Sequence, residues 1–234
     1  MSAEPASPRE LHNLHDLGGI ATARGPIRPG RLFRSANPDE LSPSGWRELD
    51  AYGIRTIIDL RNDDEVSLST SRPTDLAVVR RPIEDHSDDE FMAVWGDRLD
   101  SPEYYPEILR LWPGLVSDAV GAIADAAPGG VLVHCMGGRD RTGMITAMIL
   151  ELLGVERDAI AHNYARSVRA IDAWWRIHGG PNGSMTDSDL DDFVVSSAVL
   201  LNDFLDDVPI REYLLDAGTT TAQLERLQAR LLDD

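Results

Sequence analysis

Residues 131–143 read VLVHCMGGRDRTG, and this stretch decides the fold because it joins a predicted strand to a predicted helix. Residues 131–134 form a short apolar run, which is typical of a strand buried in a parallel sheet. Residues 142–153 are apolar nearly all round, which predicts a buried helix with Gly154 just past its end. The stretch therefore predicts a strand–loop–helix unit.

The rest of the chain predicts more strands before this unit and only helices after it. Residues 31–35, 55–60 and 76–83 have the composition of strands, and the Ser42–Pro43 pair is a typical helix start. Helical periodicity continues downstream to the end of the chain. We therefore expect an α/β fold, with a mainly parallel sheet of four or five strands, helices on both faces and a helical C-terminal half.

The length and termini of the chain predict one domain. The 234 residues contain no repeat and no long linker, so we expect residues 10–234 to form a single domain. Residues 1–9 are polar and rich in Pro, Ala and Ser, which predicts a disordered N-terminus without a signal peptide. No apolar run is long enough to cross a bilayer. We expect a cytoplasmic protein without an integral membrane segment, and export by a non-standard route stays open.

The composition excludes several functions. All 22 basic residues are arginines, and 40 acidic residues bring the net charge to −18. This charge argues against nucleic-acid and anionic-membrane partners. An enzyme of this charge that acts on phosphate esters would need a locally positive pocket. No metal-ligand spacing occurs, so we expect neither a metal nor another cofactor.

The loop of residues 135–141 has the features of an anion site. A loop between a strand and a helix directs backbone N–H groups and the positive end of the helix dipole at one point. Gly137 and Gly138 allow the backbone to curl so that its amides converge. Arg141 lies six residues after Cys135, and its planar fork suits two phosphoryl oxygens. We therefore expect this loop to bind a phosphoryl group.

The same surroundings favour Cys135 as a nucleophile. A lone cysteine is most often a small buried hydrophobe, which is the competing interpretation. However, a helix N-terminus and a neighbouring cation both stabilise a thiolate, and a thiolate facing phosphorus is a nucleophile in position. The expected reaction is two-step hydrolysis of a phosphomonoester through a phosphocysteine. Thr142 is placed to donate its hydroxyl to the departing sulfur.

The loop resembles the signature H-C-x(5)-R-[ST] of the protein tyrosine phosphatase superfamily. It is most similar to a bacterial branch with dual or triple specificity whose loop reads H-C-x-x-G-K-D-R-T-G. Four more blocks resemble that branch: residues 13–19, 32–36, 53–61 and 163–167. The resemblance implies a tyrosine-phosphatase-like fold, with Cys135 and Arg141 in catalysis. It implies that phosphate is bound by Met136, Gly137, Gly138, Arg139 and Thr142.

The substrate stays open at this point. Arg139 stands where the branch usually has lysine, and in the branch that position suggests recognition of additional phosphates on a lipid headgroup. The expected substrate is a phosphorylated protein, on tyrosine or on serine and threonine, or a phosphoinositide, with inorganic phosphate as product and inhibitor. A phosphate-binding regulatory module with little turnover is the alternative of another class.

Three aspartates are candidates for the general acid that protonates the leaving oxygen. Asp140 lies inside the loop, at a position suspected of this role in the resembling branch, and we favour it. Asp85 follows the predicted strand 76–83, where simpler dual-specificity enzymes place their acid. Asp97 lies in a Trp-Gly-Asp string that is similar to the W-P-D string of other members. Structural interpretations compete: an ion pair for Asp140, an acidic turn for Asp85 and a helix cap for Asp97.

Two arginines near predicted strand ends have an open role. Arg61 follows the strand 55–60, and Arg34 lies in the strand 31–35. Ligands of open α/β folds bind at the carboxyl ends of strands. Each arginine could therefore offset the negative charge near the loop, or form a surface salt bridge.

Overall fold

The chain is built around a five-stranded sheet. The computed structural model describes residues 10–66, 72–180 and 185–232, so the predicted disordered segment 1–9 lies outside the described residues. In chain order the strands are β1 (His15–Asp16), β2 (Ala21–Thr22), β3 (Gly25–Pro26), β4 (Leu32–Ser35), β5 (Ile54–Asp59), β6 (Ala77–Arg80) and β7 (Gly130–His134). Strands β2 and β3 form a separate antiparallel pair.

The strand order places β7 in the middle of the sheet. The order is β1-β4-β7-β5-β6, with β1 antiparallel to β4 and every other neighbouring pair parallel. Ser35 of β4 and Asp59 of β5 both pair with His134 of β7, so the three parallel strands end at the same level. The predicted mainly parallel sheet of four or five strands is confirmed.

Nine α-helices surround the sheet in the described part of the chain. They are α1 (Pro43–Ala51), α2 (Asp89–Trp95), α3 (Tyr105–Leu111), α4 (Pro113–Asp125), α5 (Asp140–Leu152), α6 (Arg157–His178), α7 (Asp187–Asp207), α8 (Ile210–Asp216) and α9 (Thr221–Leu232). Three short 3-10 turns lie at Asp63–Glu65, Gly96–Arg98 and Pro102–Tyr104. The helical C-terminal half is as the sequence predicts.

The two faces of the sheet are covered unequally. Leu132 and Ile57 belong to a small apolar cluster with Trp46 and Leu49 of α1. The neighbouring side chains of the same strands, including Val133, point to the other face and join a much larger cluster with the later helices. This alternation is the period of two expected for strands. Helices therefore lie on both faces, and the helical C-terminal half packs on one of them.

Local sequence explains where the elements begin and end. The Ser42 hydroxyl accepts a hydrogen bond from the Gly45 amide at 3.3 Å, as the predicted helix start requires. Strand β6 is shorter than its predicted range 76–83. The amide of Arg81 still bonds to the carbonyl of Asp59 at 2.8 Å, but Pro82 has no N–H with which to continue the ladder.

Helix α5 is the buried helix that the apolar run predicts. Its residues from Arg141 to Leu150 are all buried. It begins at Asp140, two residues before the predicted start, and Gly154 follows its end with φ of 69°. None of the helices formed by the described residues is long and apolar enough to cross a membrane.

Candidate active site

The site lies at the carboxyl end of the central strand β7, where residues 135–139 connect it to helix α5. Cys135 is the first residue of this loop and is almost fully buried. Arg139 occupies the N-cap position of α5 without a side-chain capping bond. The N–H groups of the first turn of a helix have no partner within the helix, so they are free to face an anion at this loop.

Five consecutive carbonyl groups of the loop are held by donors on its outer side. The acceptors and donors are Cys135 O with His134 Nδ1 (2.9 Å), Met136 O with Asn37 N (2.9 Å), Gly137 O with Asn13 Nδ2 (2.9 Å), Gly138 O with Arg34 Nη2 (2.8 Å), and Arg139 O with Arg34 Nη2 (3.2 Å) and Gly143 N (2.8 Å). The donors come from four separate parts of the chain.

This arrangement directs the amides inward. No peptide bond of the described chain is cis, and in a trans peptide the N–H points away from the preceding carbonyl. The N–H groups of residues 136–140 therefore face the side opposite to the donors. The Gly138 amide donates to Cys135 Sγ at 3.3 Å, which places the sulfur on that inner side. The loop thus has the form of an anion cradle around the sulfur.

Close packing explains why the loop needs glycine. Gly138 has φ of 71°, and a Cβ atom there would lie 2.0 Å from the carbonyl oxygen of Ser35. At Gly137 a Cβ would meet Cδ1 of Ile171 at 2.6 Å. Both glycines therefore allow the loop to lie directly against strand β4 and helix α6.

Arg141 is held by two carboxylates. Its Nη1 and Nη2 atoms bind the two oxygens of Glu65, the latter at 2.6 Å, and its Nε lies 3.2 Å from Glu84 Oε1. Burial opposes its charge, but hydrogen bonding to Glu65 and attraction by Cys135 and Glu84 raise the pKa of Arg141 well above its usual range. Glu65 thus occupies the two nitrogens that would bind phosphoryl oxygens.

Asp140 lies in a hydrogen-bonded group beside the loop. Arg139 Nε lies 3.1 Å from both of its carboxylate oxygens, and Tyr164 donates its hydroxyl to Oδ1 at 2.9 Å. The Tyr105 hydroxyl donates to the Asp140 carbonyl at 2.8 Å. Burial raises the pKa of Asp140, although Arg139 and Tyr164 oppose this effect. A raised pKa favours the protonated form of this carboxyl group, which is the form that a general acid needs.

Arg139 is buried instead of reaching into solvent. Its guanidinium lies 5.5 Å from the ring centroid of Phe193 and 5.9 Å from that of Trp175, within cation–π range. It is also the ion-pair partner of Asp140. This position differs from that of a cation free to bind a second phosphate.

The other two candidate acids lie outside the loop. Asp85 accepts hydrogen bonds from the amide (2.9 Å) and hydroxyl (2.7 Å) of Ser87, and these bonds lower its pKa. Asp85 follows Glu84, so it lies in the segment that approaches Arg141. Asp97 is an exposed residue of the 3-10 turn Gly96–Arg98. Asp140, the first residue of α5, is therefore the candidate that directly follows the loop.

The structure changes one expectation about a single side chain and leaves another as a prediction. The Thr142 hydroxyl is buried and has no hydrogen-bond partner among the described residues, so its expected role toward the departing sulfur stays a prediction. Arg61 is not in a surface salt bridge. It is buried and binds Asp59 at 2.8 Å and Asp39 at 2.9 Å.

Several residues of the site were not found from the sequence. Asn13 begins a block used for the resemblance and has φ of 57°, but no sequence rule links it to the carbonyl of Gly137. Glu65 and Glu84 lie in acidic stretches that resemble ordinary solvated turns. Their contact with Arg141 depends on how strands β5 and β6 place the residues that follow them.

Comparison with known proteins identifies relatives. Residues 7–233 match the model of the tyrosine phosphatase family. A Cupriavidus necator protein named as a candidate tyrosine-protein phosphatase is 31% identical over 165 residues, which cover 67% of this chain and 60% of that protein. The triple specificity protein phosphatase PtpB of Mycobacterium tuberculosis is 30% identical over 187 residues, which cover 66% of this chain and 66% of that protein. The chain therefore spans no more than about two thirds of these relatives.

A solved structure is also similar. The crystal structure of TpbA from P. aeruginosa matches 80% of this chain and 86% of its own, with 19% sequence identity and a TM-score of 0.40.

Substitution of Gly138 tests the close packing of the loop. We expect Gly138→Ala to lower the free energy of unfolding by about 3 kcal/mol, because the new Cβ meets a backbone oxygen and the positive φ is strained. Gly19→Ala is the control, since Gly19 also has positive φ (87°) but has no atom within 4 Å of a Cβ. Urea unfolding measures both. Equal losses would contradict the close contact between the loop and β4.

Substitution of Glu65 tests whether its carboxylate occupies the anion site. We expect Glu65→Gln to raise the affinity for inorganic phosphate by about tenfold, because a charged competitor for Nη1 and Nη2 of Arg141 is removed. Glu84→Gln changes the charge equally but leaves both nitrogens occupied, so its gain should be smaller. Calorimetric titration measures both variants. An equal gain would show that only net charge matters.

Proposed function

Because this chain belongs to the tyrosine phosphatase family, we propose that it hydrolyses phosphomonoesters, chiefly phosphotyrosine in proteins, through a phosphocysteine on Cys135. The observation that carries the proposal is the hydrogen bond from the Gly138 amide to Cys135 Sγ, in a loop whose five carbonyls are all bound by donors. We further propose that residues 10–234 act as one catalytic domain.

The first step transfers the phosphoryl group to sulfur. The Cys135 thiolate forms an S–P bond while the bond from phosphorus to the ester oxygen breaks. The loop amides and Arg141 stabilise the charge on the three remaining phosphoryl oxygens. Asp140 gives its proton to the departing oxygen, so the alcohol or phenol leaves neutral. The raised pKa of Asp140 supports this role.

The second step releases phosphate. Water attacks phosphorus, the ionised Asp140 carboxylate accepts a proton from it, and the S–P bond breaks. The sulfur leaves as a thiolate, which restores the starting state. The buried Thr142 hydroxyl has no hydrogen-bond partner among the described residues, so it is available as a donor to the departing sulfur, which supports this role. Inorganic phosphate is then both product and inhibitor.

Substrate binding requires a change at Arg141. Phosphoryl oxygens need the terminal nitrogens that Glu65 now binds, so this carboxylate must withdraw. Glu84 binds the Nε edge of the same guanidinium and is fully buried. It can therefore keep Arg141 in place during the exchange.

The surroundings of Arg139 favour a single phosphate over a multiply phosphorylated headgroup. A second phosphate would have to displace Asp140 from Arg139 and enter beside Phe193 and Trp175. The dual-specificity and phosphoinositide activities are the second candidates, because Arg139 still has its cationic fork. The rates of phosphate release from phosphotyrosine peptide, phosphoserine peptide and phosphoinositide vesicles rank these three substrate classes.

Substitution of Cys135 tests the covalent route. We expect Cys135→Ser to lower kcat for para-nitrophenyl phosphate by about 10⁴-fold or more, because a serine hydroxyl is not ionised at neutral pH. The same variant should still bind phosphate, since the amides and Arg141 are unchanged. Turnover close to wild type would contradict the role of the thiolate. A wild type that binds phosphate but never releases product would be a binding module.

Substitution of Asp140 tests the general acid. We expect Asp140→Asn to slow hydrolysis of an alkyl phosphate by about 10²-fold or more, and that of para-nitrophenyl phosphate much less, because only the poor leaving group needs the proton. In the wild type, alkyl phosphate hydrolysis should fall as pH rises through the pKa of Asp140. The Asp85→Asn and Asp97→Asn variants are the controls. A leaving-group effect in Asp85→Asn instead would transfer the role to Asp85.

A further inference from the structure

The arginines near the loop are mostly neutralised by carboxyl groups. Three guanidinium groups face five carboxyl groups there. The pairs are Arg141 with Glu65 and Glu84, Arg139 with Asp140, and Arg61 with Asp59 and Asp39. In a protein with a net charge of −18, these pairs leave no excess positive charge for a dianionic substrate.

Arg34 is the exception. It is 1% exposed, and its hydrogen bonds go to uncharged acceptors only. The acceptors are Thr146 Oγ1 at 3.1 Å, Asn163 Oδ1 at 2.6 Å, Gly138 O at 2.8 Å and Arg139 O at 3.2 Å. Among the described residues no carboxylate forms an ion pair with it, and its Nε has no hydrogen-bond partner.

A buried guanidinium without a counterion is costly, and it is usually retained for a reason. Burial lowers the pKa of Arg34 to about 10, although Cys135 and Asp140 are among the groups whose attraction opposes this shift. The group therefore stays protonated near neutral pH. Its charge lies at the carbonyl ends of the peptide units that follow Gly138 and Arg139. In a trans peptide the N–H points away from the carbonyl, so the amides of Arg139 and Asp140 are directed away from Arg34.

We propose that Arg34 is the positioning residue that makes the loop selective for dianions. Its guanidinium orients the peptide units that follow Gly138 and Arg139, and its unneutralised charge raises the potential on the inner side of the loop. The inference rests on the proposed function, since it assigns the source of the charge that a phosphoryl dianion meets there. Arg34 acts through the loop and does not touch the substrate.

The test separates the charge of Arg34 from its hydrogen bonds. Asn163→Asp places a carboxylate against Nη1 with the same shape and the same acceptor atom, so it neutralises Arg34 without removing that bond. Thr146→Val is the matched control, because it removes another acceptor of Nη1 and leaves the charge intact. Arg34→Met removes the charge by a second route. Circular dichroism and thermal unfolding verify that each variant is folded.

The probes are tungstate and perrhenate, two tetrahedral oxyanions of similar size with two charges and one charge. A fixed potential acts twice as strongly on the double charge. We expect Asn163→Asp and Arg34→Met to weaken tungstate binding by about tenfold and perrhenate binding by about threefold. Thr146→Val should change both affinities by the same small factor. Calorimetric titration gives all the constants without any turnover.

The other outcomes are distinct. If Asn163→Asp weakens both anions equally, or neither, Arg34 has only a structural role and the inference is wrong. If the wild type binds neither anion, the anion site fails, and the proposed function fails with it. If the wild type binds tungstate but hydrolyses no ester, the proposed turnover is wrong. The role of Arg34 is then still decided by the anion affinities of the variants.

Discussion

A trans peptide unit cannot point its carbonyl and the following N–H to the same side, and the loop at residues 135–139 depends on this constraint. For the five amides of this loop to be available to an anion, the fold must supply donors for the five carbonyls of the same peptide units. It does so with Asn13, Arg34, Asn37, His134 and the first turn of α5. The sheet order serves the same purpose, because it places β4, which carries Arg34, directly beside β7.

The electrostatics of the site follow from how its arginines are buried. A guanidinium that leaves water needs acceptors for its N–H groups, and carboxylates are the strongest acceptors available. Arg61 and Arg141 each have two carboxylates, and these pairs fix the ends of β5 and the approach to the loop. Arg34 has carbonyl and amide oxygens instead. Arginine is therefore a structural residue where carboxylates neutralise it, whereas Arg34, which has no such partner among the described residues, is a source of positive potential.

The fold could be predicted from the sequence largely because its signals are local. The apolar run at residues 131–134, the all-round apolar helix α5 and the start at Ser42 depend on neighbours in the chain, and each is found where the pattern places it. The shortened end of β6 also has a local cause, namely Pro82. The mainly parallel sheet follows from the alternation of these elements.

The site could be predicted only in part. The spacing of Cys135 and Arg141 and the loop glycines indicated an anion cradle. The partners of Arg141 and Arg61 were not predictable, because Glu65, Glu84 and Asp39 meet them only through the tertiary fold. The role of Arg34 was open for the same reason. A strand pattern predicts on which side of the sheet a side chain lies, but it does not predict which acceptors that side chain binds.

The most direct test of the central claim is a crystal structure of the protein with vanadate, an analogue of the phosphoryl group in transfer. The account predicts vanadium bound to Cys135 Sγ and vanadate oxygens within hydrogen-bond distance of the amides of residues 136–140. It also predicts that Nη1 and Nη2 of Arg141 have exchanged Glu65 for vanadate, while the loop carbonyls keep their outer donors. Vanadate bound elsewhere, or a loop whose carbonyls turn inward, would contradict it.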